Sequence, residues 1–77
     1  MIVKGDVTRK LFSPGSKSEH VAVVLRADGA EYVLRRVGAN PFTDPTMDAL
    51  VGKRVEIDGD LRGYNLMVRS WHELEPS

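Results

Sequence analysis

The segment Leu50–Val68, LVGKRVEIDGDLRGYNLMV, constrains the fold of this chain more than any other stretch. It reads as the end of a short helix, a glycine stop at Gly52, and two strands joined tightly at Arg62-Gly63. Three strand-like runs precede it. The pattern therefore predicts five strands with one helix between the third and the fourth, curled into a small closed β-barrel.

Turn chemistry sets the earlier boundaries. Ile2–Phe12 reads as the first strand, with Gly5 a candidate bulge at which a barrel strand could bend. Ser13-Pro14-Gly15-Ser16 breaks that pattern. His20–Ala27 and Ala30–Val37 read as the second and third strands, joined at Asp28-Gly29, a dipeptide whose residues both accept positive φ. This turn places Leu25 opposite Tyr32 and Val23 opposite Leu34 on one face, and Arg26 opposite Glu31 on the other. Asp44-Pro45 is a helix start, because Asp accepts from free amides and Pro fits the first turn. About two turns are expected, with Met47, Leu50 and Val51 as the apolar side. Lys53–Leu61 and Tyr64–Trp71 read as the fourth and fifth strands. Joined at Arg62-Gly63, they put Val55, Ile57 and Leu61 on a face with Val68, Leu66 and Tyr64, and set Glu56 opposite Arg69.

Composition narrows the function classes. Seventy-seven residues make one domain, read as residues 1–74 with a short tail at 75–77. A chain this size buries roughly 60% of its unfolded surface, enough for one core and a surface site. Eleven basic residues balance eleven acidic ones. That balance disfavours nucleic acid as a partner, since such affinity comes largely from neutralising phosphates. Cysteine is absent, which removes disulfides, thiolate nucleophiles and cysteine zinc sites. Lys4 interrupts the start before an apolar signal region can form, and no run approaches the ~20 apolar residues that span a bilayer. A cytoplasmic protein with no membrane partner and no cofactor is expected.

Five strands with a helix between the third and fourth is the order of oligonucleotide/oligosaccharide-binding (OB) barrels. The layout resembles OB-like barrels over nearly the whole chain, and GKRVEIDGDLRG is similar to their fourth strand and following turn. More narrowly, GSKSEH, LRRVGANPFTDP and LVGKRV resemble signature stretches of short uncharacterised bacterial single-domain proteins. The resemblance implies a mainly β, five-stranded OB-like barrel and brings no catalytic or ligand residue with it. OB domains that bind nucleic acid usually present aromatic residues on strands two and three beside longer loops. Here Tyr32 is the only aromatic residue on that hairpin, and the loop between strands four and five is minimal.

The candidate sites are few. SPGSKSEH, Ser13–His20, offers a glycine, hydroxyls and Lys17 to an anion, but lacks the GK[ST] ending of a phosphate loop. Ser side chains that bond local backbone in a solvated turn explain it more simply. His20 and Glu19 point to opposite faces of a strand, and with His72 they nominate no third metal ligand. Arg35 and Arg36 likewise split between two faces. Glu56, Asp58 and Asp60 share one face of the fourth strand at ~7 Å spacing, too wide for a tight metal cage or a shared proton. Phe42, in the stiff NPFTDP loop, and Trp71 either plug barrel ends or anchor a partner.

These features point to a non-catalytic binding or interaction module, monomeric or weakly dimeric, with a protein partner favoured. Lys17, Arg35, Arg36, Phe42 and Trp71 are the partner-binding candidates. The alternative is weak single-stranded nucleic-acid binding through the strand 2–3 face, using Lys17, Tyr32, Arg35 and Arg36. No enzyme is expected, because no nucleophile–base pair or complete metal set can be assembled.

Overall fold

The computed structural model describes residues 1–36, 38 and 44–74. Its strands are β1 (Ile2–Phe12), β2 (His20–Ala27), β3 (Ala30–Arg36), β4 (Arg54–Arg62) and β5 (Asn65–Glu73). One short helix, α1 (Pro45–Asp48), lies between β3 and β4. The sheet closes as β1-β2-β3-β5-β4, and β3 with β5 is its one parallel pairing among the described residues. This is the OB-like barrel expected from the sequence.

Alternation explains the core. Val3 and Val7 of β1, Leu25 of β2, Leu34 of β3, Val55 and Ile57 of β4, and Leu66 and Val68 of β5 all turn inward and are buried. Met47 and Leu50 complete this cluster from the helical segment, with Val51 half-buried beside it. The Asp28-Gly29 turn sets the register it demands, with Leu25 facing Tyr32 and Arg26 facing Glu31.

β1 serves two neighbours. Ile2–Asp6 pairs with β4, and Asp6–Phe12 pairs with β2. A Cβ built on Gly5 would lie 2.3 Å from the Arg26 carbonyl oxygen, so glycine permits two backbones to approach where no side chain fits. The β1–β4 ladder passes through Gly5 in unbroken register, so the bulge expected there is not formed.

Asp44 caps α1, its Oδ1 accepting from the amides of Thr46 at 3.1 Å and Met47 at 3.3 Å. The α-helical turn is shorter than the two turns expected. Tighter bonds, from Leu50 N–H to the Met47 carbonyl and from Val51 N–H to that of Asp48, extend it. Gly52, at φ 88°, ends the segment and donates its amide to the Val7 carbonyl, which docks the segment on β1.

The β4–β5 hairpin departs from its expected register. Gly63 and Tyr64, rather than Arg62 and Gly63, form the turn, with Arg62 facing Asn65 and Leu61 facing Leu66. Gly63 has φ 60° at the first central position, as a Gly-X two-residue turn requires. Farther along, Asp58 faces Ser70 but Gly59 faces Val68, so Arg69 is an extra residue bulged from β5. The two shifts add. Glu56 faces His72 instead of Arg69, and Tyr64 is 85% exposed at the turn instead of lining the barrel.

Candidate functional site

The outer face of β4 carries the three carboxylates predicted to share it, and each has a counter-ion. Glu56 lies 3.0 Å from His72 Nε2 and 3.7 Å from Lys4 Nζ. Arg69, the bulged residue, reaches Asp58 at 3.5 Å and Asp60 at 3.3 Å. Exposed pairs of this kind contribute little stability, but they leave a compensated, solvated surface. No group of three or more ligating side chains placed to hold a metal ion occurs among the described residues.

The Ser13–His20 loop is occupied with its own turns. Ser16 N–H and Oγ both donate to the Ser13 carbonyl, at 3.2 and 2.8 Å. Ser18 N–H donates to Ser16 Oγ, and Glu19 N–H to the Ser16 carbonyl. Three amides that an anion would need are thus engaged. His20 Nδ1 donates to the Ser18 carbonyl at 2.7 Å, not to a hydroxyl, so the pair has no nucleophile–base geometry. Lys17 stands exposed in this loop.

On the outer face of β1–β3 the charges are less evenly matched. Lys10 on β1 faces Ala22, and Glu31 on β3 faces Arg26. Their 2.9 Å bridge therefore crosses β2 at Val24, which is only 1% exposed although it lies outside the barrel core. The Lys10 hydrogen bond holds the Glu31 carboxyl below its ordinary value, and Arg26 adds a second cation at 3.6 Å. Beside them Phe12 and His20 stack at a centroid distance of 5.5 Å and an angle of 14°.

The two adjacent arginines part company as strand alternation requires. Arg36 donates Nε to Asp44 Oδ2 at 2.8 Å and Nη2 to Oδ1 at 2.9 Å, a bidentate pair. That contact, with the Thr46 and Met47 amides adding to it, holds the Asp44 carboxyl below its usual range against the opposing effect of burial. The guanidinium also lies 5.9 Å from the Trp71 ring, and Trp71 is half-buried against the core. Arg35 points outward and donates Nε to Asn65 Oδ1 at 3.0 Å. Tyr32 packs against the core, and Phe42 lies outside the described residues.

What these elements leave open is a cleft. The β2–β3 ladder stops at Val24–Val33, whereas β2 continues back to His20 paired with β1. Arg9–Val21 consequently forms a two-stranded arm in which all residues but Phe12 are exposed. Leu11, 45% exposed, faces Val21, 58% exposed, on the side that continues the inward face. Where β2 and β3 part, a cleft of about 180 Å³ opens against α1. Val21, Val23, Leu34 and Met47 give it apolar walls, and His20 and Arg35 reach it from the outer face. Asp44 and Asp48 also line it, the first bound to Arg36 and the second 3.8 Å from Arg9.

No family model, no curated protein and no solved structure matches the chain. Of the predicted partner-binding residues that lie among the described ones, only Arg35 lines the cleft. Leu11, Val21, Val23 and Met47 were not among them. Their apolar alternation signals a barrel core, and only the parting of β2 from β3 brings some of them to the surface.

Proposed function

We propose that this chain is a non-catalytic binding module for a protein partner, working in the cytoplasm as a monomer or weak dimer. One observation carries the reading: a cleft between β2, β3 and α1, with apolar walls and charged edges, that continues onto the exposed Leu11–Val21 pair. Apolar side chains on a two-stranded arm and a packed helical turn are already ordered, so a partner meets a surface that loses little entropy on docking. Arg36 and Trp71 support this surface from within, Arg35 lines the cleft, and Lys17 stands exposed in the loop that joins β1 to β2. No helix among the described residues is long and apolar enough to cross a membrane.

The test is a photo-crosslinking amino acid at position 21 in living cells, followed by reconstitution of the captured pair from purified proteins. Leu11→Asp should weaken that reconstituted complex about tenfold or more while the circular dichroism spectrum is unchanged. An affinity indifferent to Leu11 would remove the reading.

A second reading, weak single-stranded nucleic-acid binding, has its own observation in the outer face of β1–β3. Lys10, Arg26 and Arg35 stand there against Glu31, next to the Phe12–His20 stack. Because Tyr32 packs against the core and Arg36 holds Asp44, this reading rests on Lys17 and Arg35 together with Lys10, Phe12 and His20. Anisotropy of labelled DNA and RNA single strands should then fall with salt, log K against log salt having a slope of about −0.7 per phosphate contacted.

A further inference from the structure

We infer that the cleft between β2, β3 and α1 takes an acidic protein segment that inserts one bulky apolar side chain, a refinement that rests on reading the chain as a protein-binding module. Size sets the first limit. At about 180 Å³ the cleft falls below the ~300–1,000 Å³ of ordinary small-molecule pockets, and it suits one large side chain rather than a helix face. Its walls set the second. Val21, Val23, Leu34 and Met47 are apolar, and the unbranched Met47 can adjust to the shape that enters.

Charge fixes the flanks of that segment. The two carboxylates of the cleft are already answered, Asp44 by Arg36 at 2.8 Å and Asp48 by Arg9 at 3.8 Å. Arg35 is bonded only to a neutral amide, and no carboxylate pairs with it among the described residues. Outside the cleft, on the same outer face, Lys10 and Arg26 both reach Glu31. Of the charged groups lining the cleft, Arg35 is thus the one left without an opposite charge among the described residues. Carboxylates on either side of the inserted group complement it, and lysines there would meet Arg35 as like charges.

Methyl and amide NMR titrations at low salt, with three capped pentapeptides, test this directly. Glu-Glu-Leu-Glu-Glu should shift Val21, Val23, Leu34 and Met47. Glu-Glu-Ala-Glu-Glu should bind about tenfold more weakly or less, having lost its buried carbons. Lys-Lys-Leu-Lys-Lys should leave those signals still in the parent protein and bind instead to Arg35→Glu. Val21→Asp, at an exposed position, should abolish the response to the first peptide without disturbing the rest of the spectrum. Equal binding of the leucine and alanine peptides, preference for lysine, shifts confined to other surfaces, or no response at millimolar peptide would each overturn the inference. The broader reading fails separately. A cross-linked partner that meets Val21 through a basic segment would preserve the module and sink this refinement, whereas a complex indifferent to Leu11 would remove both.

Discussion

On one side of β3, Arg36 makes two bonds to Asp44, at 2.8 and 2.9 Å, and lies over Trp71; on the other, Arg35 makes a single bond, to Asn65. The residues are neighbours in sequence and identical in type. Their difference comes from the strand, which sends one guanidinium towards α1 and the other outward. The Arg36 side is a seam joining β3, the helix cap and β5, and its two charges are paired with one another. The Arg35 side borders apolar walls and keeps a cation without a carboxylate. Pairing gives the first a structural role; on the binding function proposed above, the second is the side a partner would meet.

Breaking the seam should have the largest effect. Asp44→Ala removes a helix cap and the carboxylate that holds Arg36, and should cost roughly 2–3 kcal/mol, seen as a melting temperature lower by about 10 °C or more. Asp44→Asn keeps a good capping side chain and loses the charge, so about 1 kcal/mol is expected in urea unfolding. The difference between these two variants separates cap from ion pair.

Acid should act on the same seam. Because the folded Asp44 carboxyl sits below its ordinary 3.8, its contribution is complete above that value and is lost as pH falls through the lower folded value. Melting temperature measured down this range should drop in the parent and flatten in Asp44→Asn. Glu31, also lowered but far more exposed, should alter the acid limb much less when changed to Gln. Last and smallest, Arg35→Ala should leave stability within about 0.5 kcal/mol of the parent. A large loss there would erase the contrast between the two arginines.

Much of the fold was legible because local chemistry dictated it. Asp28-Gly29 left one register for β2 and β3, and Asp44-Pro45 named the cap. The β4–β5 hairpin was misread because Gly63 can serve either of two overlapping turns. Arg62-Gly63 and Gly63-Tyr64 differ by one residue in position and two in register, and the bulge at Arg69 adds a third. Nothing local announces a bulge that depends on the backbone closeness of Gly59 and Met67, where a Cβ would come within 2.3 Å of a carbonyl oxygen. The cleft was illegible for a related reason. Leu11 and Val21 carry the alternation of core residues, and their exposure follows from where β3 leaves β2 for β5. Arg36 with Asp44 was half legible: the cap was visible, its guanidinium partner eight residues earlier was not.

The parallel pairing of β3 with β5 also shapes how the chain reaches this state. Residues 33–36 meet residues 65–68, and Ile2–Asp6 meet Arg54–Asp58, so both seams that close the ring join distant parts of the chain. Isolated hairpins form in about 1–10 μs, well before loop closure of that span is rewarded by contacts. Ring closure is then the slow step, on the millisecond-to-second scale of small β-barrels. Until it occurs, the β3 edge awaiting β5 is open to any other extended strand, and crowded synthesis is when this small domain is most exposed to mispairing.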